Sequence, residues 1–328
     1  MTKLDEFIQE LCPDGVKYLP IPELFITRNG YTPSKANNEF WENGTIPWFR
    51  MEDIRENGRI LTTATQYVSE KAVKGKLFPA DSIIIATSAT IGEHALIKVP
   101  SLANQRFTYL TLKDEFKDCV DMMFVFYYCF RLDEYCKSHL NQGNFASVDM
   151  KQFAAFKFPV PPLPVQCEIV RILDNFTELT AELTAELTAR KQQYAYYRDK
   201  LLTFGDVRGG ATSDVVWKTL AEIADISTGS SNTDDAVKGG CYPFFVRSQQ
   251  LLAKDEYEYD EEAIITAGDG VGVGNVFHYI NGKYALHQRA YRIHPATDGL
   301  LGKYLYHYFV ATFPKYIGQQ MYQGSVPS

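Results

Sequence analysis

A long stretch without proline or glycine constrains the fold of this chain more than any other feature. From Val165 no proline or glycine occurs until Gly205, and apolar residues recur at steps of three and four. The pattern is typical of one long helix with a continuous apolar seam, as in a coiled coil. About 38 residues at 1.5 Å each predict a length of roughly 57 Å. The seam comprises Ile169, Ile172, Phe176, Leu179, Leu183, Leu187, Tyr194, Tyr197 and Leu201. A helix this long cannot bury its seam in a small domain, so we expect it to pack against another long helix.

Inside this stretch the tetrad T-A-E-L recurs almost unchanged from Thr177 to Arg190. One interpretation is purely structural, because the tetrad is a good helix former that places leucine on the seam and glutamate in water. The other is that the repeat adjusts the length of a spacer. One extra tetrad advances a helix by about 6 Å and turns it by about 40°. One base pair of B-DNA advances about 3.4 Å and turns about 35°.

The two ends of the chain resemble each other in the same order and at similar spacings, which indicates a duplicated domain. Each match is short, but together they imply a unit of roughly 120–160 residues. The paired segments are GVKYLPIPELFITRNG with VVWKTLAEIADISTG, IPWFR with YPFFVR, DSIIIATSATIGEHALI with EEAIITAGDGVGVGNVF, LANQRF with LHQRA, and NQGNFASV with YQGSVPS.

Each copy predicts a mixed domain of short strands followed by one helix. The runs from Ser82 to Ala86 and from Ala263 to Thr266 are strand-like. Asp121 to Lys137 is the predicted helix of the first copy, and Leu301 to Tyr316, up to Pro314, is its counterpart. We therefore predict an α+β fold with two similar mixed domains separated by one long coiled-coil-type helix. The expected boundaries are 1–163, 164–205 and 206–328.

Motifs along almost the whole chain resemble the specificity subunit of type I restriction–modification systems. They are VKYLPIPEL and VWKTLAEIADISTG at the start of each domain, and GNFASVDMKQFAAFKFPVPPLPVQCEIVRILDNF at the end of the first. The T-A-E-L spacer and the following RKQQYAYYRDKLLTF complete the set. In that family two target-recognition domains alternate with two long helices.

The resemblance implies sequence-specific recognition of double-stranded DNA without catalysis. Each recognition domain is expected to read one half of a split, asymmetric target, and the helices are expected to dock two methylation subunits. Those subunits use S-adenosylmethionine, and restriction subunits add ATP-driven translocation and cleavage. No cofactor is therefore expected on this chain.

The resemblance also implies a second long helix after the second domain, but the sequence ends at QGSVPS. We expect the seam to be covered through self-dimerisation or by another chain. An alternative function is accordingly a truncated subunit that acts as an interaction protein. A third interpretation, a stand-alone enzyme that binds a nucleotide at the glycines of AGDGVGVGN, is weak because no helix start follows that loop. A glycine-rich hairpin that allows close approach of the backbone fits better.

Polar and basic side chains in the loops of both copies are the candidate DNA contacts. Arginine reads guanine through two hydrogen bonds, glutamine reads adenine, and small loops bring backbone amides to phosphates. In the first copy the candidates are Lys35, Asn37, Asn38, Arg50, Thr87, Ser88, Thr90, Asn104, Gln105, Arg106, Gln142 and Asn144. In the second copy they are Ser231, Asn232, Arg247, Asp269, His287, Gln288, Arg289, Gln323 and Ser325. Because the Gln-Arg pairs recur in both copies while targets differ, a bracing role through backbone bonds is the competing interpretation for them.

Composition excludes several other classes. Six scattered cysteines form no C-x-x-C, so neither a zinc site nor a disulfide framework is expected. No run approaches a membrane span, and the acidic amphipathic start is unlike a signal peptide, so a cytoplasmic protein without membrane contact is expected. Paired carboxylates such as Glu52 and Asp53 have no converging histidine, so an acid–base catalytic site is not expected there. The net charge of −7 is unusual for a DNA-binding protein and predicts weak DNA binding without partner subunits.

Overall fold

The computed structural model describes residues 2–141, 146–202 and 216–320. The chain forms two compact units that divide between Leu183 and Thr184. This division falls inside one helix, Leu163–Leu202, which has 40 residues. The predicted helix is therefore present as a single uninterrupted element. The predicted domain boundaries at 163/164 and 205/206 stay a prediction, since 203–215 lie outside the described residues.

The first unit contains short strands and helices in the order that the sequence predicts. Its strands are β1 (Lys17–Pro20), β2 (Phe25–Asn29), β3 (Ile46–Phe49), β4 (Ile60–Leu61), β5 (Tyr67–Val68), β6 (Ser82–Ala86), β7 (His94–Ile97), β8 (Leu102–Ala103), β9 (Phe107–Leu112), β10 (Leu140–Asn141), β11 (Ser147–Val148) and β12 (Lys157–Val160). Its helices are α1 (Lys3–Leu11), α2 (Ile21–Leu24), α3 (Met51–Asn57), α4 (Met122–Ser138), α5 (Met150–Ala155) and the start of α6 (Leu163–Leu202).

A five-stranded sheet in the order β2-β9-β6-β7-β4 forms the centre of the first unit. Every residue of β6 is buried, because one face packs on α4 and the other on the three-stranded sheet β5-β3-β8. Helix α4 begins after Asp121, whose carboxylate accepts a hydrogen bond from the Met123 amide at 2.7 Å. This start confirms the helix predicted from Asp121 to Lys137.

The second unit repeats this plan in a single six-stranded sheet, β13-β18-β16-β17-β14-β15. Its strands are β13 (Ala224–Thr228), β14 (Tyr242–Phe245), β15 (Leu252–Lys254), β16 (Tyr259–Ala267), β17 (Phe277–Leu286) and β18 (Ala290–Pro295), and its helices are α7 (Leu220–Ile223) and α8 (Gly302–Gln320). Helix α8 covers β16 as α4 covers β6, with Leu305 and Phe309 packed on Ile264. It continues past Pro314, beyond the point where the sequence predicts an end.

Several strand pairings of the first unit have counterparts in the second. Strand β9 lies antiparallel between β2 and β6 in the first unit, and β18 lies antiparallel between β13 and β16 in the second. The parallel pair Phe49 with Ala103 has its counterpart in Phe245 with Leu286. The two mixed units and the long helix that joins them in the chain confirm the predicted α+β fold.

Helix α6 is fixed to the first unit at its start and has an exposed apolar seam further along. The buried amide of Gln166 accepts from the Asp121 amide at 2.9 Å and donates to the Pro161 and Cys119 carbonyls at 2.6 and 2.8 Å. Among the tetrads, Thr180 and Thr188 each donate to the carbonyl four residues earlier, which keeps these hydroxyls satisfied within the helix. The T-A-E-L repeat thus forms regular helix.

Candidate nucleic-acid interface

One tight loop is built in the same way in both units, and it carries the Gln-Arg pair. We call residues 104–106 and 287–289 the arginine loops. In the first, the Asn104 amide donates to the Phe49 carbonyl at 3.0 Å, and the Thr87 amide donates to the Arg106 carbonyl at 2.9 Å. In the second, the His287 amide donates to the Phe245 carbonyl at 2.9 Å. The Gly268 amide donates to the Arg289 carbonyl at 2.9 Å. Backbone bonds therefore brace the loops, and both arginine side chains are exposed.

The residue two positions before each arginine closes the loop with its side chain. Asn104 Oδ1 accepts from the Arg106 amide at 3.0 Å, and His287 Nδ1 accepts from the Arg289 amide at 3.0 Å. Burial lowers the pKa of His287 below its usual value, and Arg247 and Arg289 lower it further. The imidazole is therefore held neutral with its hydrogen on Nε2, as the accepting Nδ1 requires. Both side chains stabilise the loop, and their predicted DNA contact stays a prediction.

Small polar groups surround Arg106 in the first unit. Thr32 donates its hydroxyl hydrogen to the Gln105 side chain, and the Thr87 hydroxyl lies 2.9 Å from that of Thr108. Ser88 forms a backbone bridge to Ser147, and Thr90 follows it in the same half-exposed turn. Within the described residues, the Arg106 guanidinium has no hydrogen-bond or ion-pair partner. It is therefore available to an anion or to a base edge.

In the second unit the corresponding surface holds two arginines and a carboxylate. Asp269 Oδ1 lies 2.6 Å from Arg247 Nη1, and its Oδ2 lies 3.2 Å from Arg289 Nη1. The Arg247 hydrogen bond is the main reason why the pKa of Asp269 is lowered, so the carboxylate stays ionised at neutral pH. Arg247 and Asp269 line an open recess of ≈ 400 Å³ together with Thr233 and Gly270.

Ser231 and Asn232 of the second unit also reach the arginine loop. The Gln288 amide nitrogen donates to Asn232 Oδ1, and the Gln288 backbone amide donates to the Ser231 carbonyl at 2.9 Å. Ser231 is buried, and its hydroxyl donates to Glu258 and accepts from Lys254. Lys254 and Glu258 were not among the predicted contacts, because no local sequence pattern links them to Ser231. Thr32, which bonds to Gln105, was likewise not predicted, although it lies only three residues before Lys35.

The remaining candidates of the first unit lie in more self-contained surroundings. Lys35 and Asn38 are exposed, whereas Asn37 Oδ1 accepts from the Glu39 amide at 3.1 Å. Arg50 Nη2 donates to the Thr65 hydroxyl at 2.9 Å, so its side chain has an internal partner. The strand register aligns Arg50 with Val246 rather than with Arg247. Gln142, Asn144, Gln323 and Ser325 lie outside the described residues, and their role stays a prediction.

The glycine-rich segment after β16 brings backbone atoms close together, as the sequence predicts. A Cβ on Gly272 would lie 2.5 Å from the Arg247 carbonyl oxygen, and one on Gly268 would lie 2.9 Å from that of Arg289. Across residues 2–141, 146–202 and 216–320, no cluster of three or more histidine, cysteine or acidic side chains is placed to hold a metal ion. In the same ranges, no helix is both long and apolar enough to cross a bilayer.

Sequence comparison places the chain in a known family. Residues 13–190 and 212–325 match the type I restriction modification DNA specificity domain, and the chain belongs to this family. The chain is 50% identical over 284 residues to the EcoprrI specificity subunit of Escherichia coli, a match that covers 80% of this chain and 69% of that protein. It is 36% identical over 201 residues to the EcoR124I/EcoR124II specificity subunit of Escherichia coli, covering 58% of this chain and 48% of the relative.

Solved structures show the same fold at low sequence identity. The S subunit of a type I system from M. genitalium superposes with a TM-score of 0.56 at 14% identity, over 93% of this chain and 80% of that one. A chain from a structure that describes complex assembly and conformational transition of the type I restriction–modification system gives a TM-score of 0.57 at 17% identity, over 93% of this chain and 81% of that one. The relatives are specificity subunits rather than methylation or cleavage subunits, which confirms the predicted class of non-catalytic DNA-specificity component.

Proposed function

We propose that this chain reads a split DNA target as the specificity subunit of a type I restriction–modification complex, with one half-site for each unit. The observation that carries the proposal is the pair of arginine loops. Both units present an exposed arginine on the same backbone scaffold, at the start of the equivalent strands β9 and β18. Side chains from neighbouring loops surround it, and these differ between the units. A shared scaffold with different side chains is what two readers of different sequences need.

We further propose that two methylation subunits and the restriction subunits bind this chain and perform the chemistry. The net charge of −7 supports this division of labour, because a protein that holds DNA alone usually carries a basic surface. Local arginines still neutralise phosphates, since salt limits the reach of distant acids to about 8 Å. All six cysteines are free thiols, in keeping with a reducing cytoplasm where genomic DNA lies.

Mapping of methylated adenines tests this function directly. Genomic DNA is sequenced for adenine methylation from cells that carry the methylation subunits with and without this gene. We expect one split, asymmetric motif that depends on the gene. A methylation pattern that is the same in both strains would contradict the proposal.

The isolated chain at physiological salt is expected to bind a duplex that carries the methylated motif only weakly. A nanomolar specific affinity without the methylation subunits would therefore contradict the proposed partnership.

A second candidate function, that of an interaction protein completed by another chain, rests on the seam of α6. Ile169 and Ile172 are half-buried, whereas the remaining seam residues are exposed; Phe176, Leu183 and Leu201 are 63%, 65% and 70% exposed. Exposed apolar side chains repeated at steps of three and four form a contact surface for a helix. We propose that a long helix covers this seam, either from a second copy of the chain or from a separate polypeptide.

The oligomeric state of a seam variant separates these possibilities. Leu179→Glu with Leu183→Glu places two charges on the seam, and Glu178→Gln with Glu182→Gln is a matched control on the neighbouring face. If a second copy covers the seam, light scattering shows a dimer for the purified chain and the control, and a monomer for the seam variant. If a separate polypeptide covers it, the chain alone is monomeric and elutes as a complex only with that polypeptide. A compact monomer that assembles fully with the methylation subunits despite the seam charges would contradict the proposal.

A further inference from the structure

The second unit shares one carboxylate between two exposed arginines. We call Arg247, Asp269 and Arg289 the bridged trio. Each guanidinium uses only Nη1 for the carboxylate, at 2.6 Å for Arg247 and 3.2 Å for Arg289. In the part of the chain that the structure describes, Nε and Nη2 of both arginines have no partner. Each arginine therefore keeps a complete two-donor edge for a ligand while Asp269 fixes the other edge.

We propose that Asp269 is a positioning residue that aims Arg289, with Arg247 beside it, at a guanine in the major groove of the second half-site. The inference rests on the proposed function and specifies one base pair of the target: the half-site read by residues 216–320 contains a G·C pair at this contact. Guanine presents N7 and O6 as two adjacent acceptors, and the planar fork of arginine matches them.

A phosphate contact fits the bridged trio less well than a guanine contact. A phosphate needs only positive charge, and a carboxylate within 3.2 Å of the arginine would repel it. Bidentate contact with a base needs a fixed orientation of the guanidinium plane, and the bond to Asp269 supplies it before DNA arrives. Since the trio carries two positive charges and one negative charge, the surface remains attractive to DNA.

The first unit provides an internal comparison for the role of Asp269. Thr87 and Gly268 occupy equivalent positions, because each donates its amide hydrogen to the carbonyl of the loop arginine. The next residue is Ser88 in the first unit and Asp269 in the second. Within the described ranges, Arg106 accordingly makes no ion pair with a carboxylate. The scaffold does not require an acid at this position, so Asp269 is explained by what the second unit reads rather than by how it folds.

The test uses the full chain in complex with its methylation subunits and duplexes that carry its own target. Each guanine of the target is replaced in turn by 7-deazaguanine, which lacks the N7 acceptor. We expect one replacement, in the second half-site, to weaken binding about ten-fold. That effect should disappear in the Arg289→Ala complex, because the contact it removes is already absent. In Arg289→Lys the preference for guanine should fall while the salt dependence of binding remains, since charge is kept and the fork is lost.

Asp269→Asn tests the positioning role, with Asp255→Asn as a control of equal charge change on an exposed residue of the same unit. We expect Asp269→Asn to lower the preference for guanine at that position about ten-fold and to leave binding to unrelated DNA unchanged or stronger. Asp255→Asn should leave the preference unchanged. Retained preference in Asp269→Asn would overturn the positioning role. A target without guanine in the second half-site, or no 7-deazaguanine effect there, would overturn the guanine contact while the split target itself stands. A complex that recognises no split target would overturn the proposed function.

Discussion

The two units hold an arginine on the same backbone but surround it with different chemistry. In the first, Arg106 lies among hydroxyl and amide groups and has no acidic neighbour among the described residues. In the second, Asp269 bridges Arg289 and Arg247. The residue that closes the loop is Asn104 in one unit and the buried imidazole of His287 in the other. The scaffold was kept after duplication, and the side chains that it presents have diverged.

The comparison distinguishes residues that hold each arginine loop in place from residues whose side chains are presented to a target. The sequence alone does not distinguish them. Backbone amides and carbonyls fix the position of each arginine loop, and they impose few side-chain requirements beyond room for close approach. The exposed side chains are then free to change without loss of the fold. A specificity protein gains from this separation because its targets can vary on a constant frame.

Substitution of the glycines that face the arginine loops should give the largest effect. A Cβ on Gly30 would lie 2.3 Å from the Asn104 carbonyl oxygen, and one on Gly229 would lie 1.9 Å from that of Leu286. We expect Gly30→Ala and Gly229→Ala each to lower the free energy of unfolding by about 3 kcal/mol, because backbone must move. Denaturant unfolding of the full chain measures this effect.

The matched control for these two variants is Gly318→Ala, since nothing lies within 4 Å of a Cβ there and the residue is inside a helix. That change should stabilise the chain by about 0.5–1 kcal/mol. In the Gly30→Ala and Gly229→Ala variants, by contrast, the half-site that the altered unit reads should be lost while the other half-site is kept. Equal loss of both half-sites from either substitution would show that the units do not read independently.

Removal of the loop arginines should have the next largest effect, and it should differ between the units. Arg289→Ala is expected to weaken specific binding by about 1–3 kcal/mol and to relax the preference at one base. Arg106→Ala is expected to weaken binding to all sequences similarly and to reduce the salt dependence by about one counterion, as for a phosphate contact. Titrations at several salt concentrations, with target and unrelated duplexes, give both quantities. Identical profiles for the two variants would remove the proposed distinction.

Sequence patterns predicted the parts of this molecule that depend on periodicity and repetition. The seam and the lack of proline and glycine identified α6 within a few residues of its bounds, Leu163–Leu202. The duplication was visible in short matching segments. The end of α8 was missed because local rules end a helix near proline. Packing of the buried Ile317 and Phe309 offsets the hydrogen bond that Pro314 cannot donate.

The details of the site depend on contacts that no local pattern encodes. The bridged trio joins residues from three separate segments, so the sequence suggested its members without their pairing. The link of Ser231 to Glu258 and Lys254 was missed for the same reason. Alignment of Arg50 with Arg247 failed because one residue more separates the arginine from the shared phenylalanine in the second copy.

Lowering the pH should have a smaller effect: it should destabilise the arginine loop of the second unit but not that of the first. The pKa of His287 is lower in the folded chain than in the unfolded chain, mainly because of burial. The unfolded chain therefore takes up the proton first as pH falls. The stabilisation that neutral His287 gives the second unit is complete above about pH 6.5, the ordinary histidine pKa. It is lost as the pH falls through the lower pKa that His287 has in the folded chain.

Hydrogen exchange of the Arg289 amide, corrected for its intrinsic pH dependence, should accelerate below that range. The Arg106 amide, which is bonded to an asparagine, should show no such change. His287→Asn should remove the pH dependence from the second unit. Parallel changes at both amides would assign the effect to some other group.

Adenine methylation produced by a variant with one added T-A-E-L tetrad tests the central claim most directly. We propose that the two units read separate half-sites and that the length of α6 determines the number of base pairs between these half-sites. The added tetrad lengthens the helix by about 6 Å and turns it by about 40°, close to the turn of one base pair. We predict a methylated motif with both half-sites unchanged and one additional unread base pair between them. Unchanged spacing, or altered bases in either half-site, would contradict it.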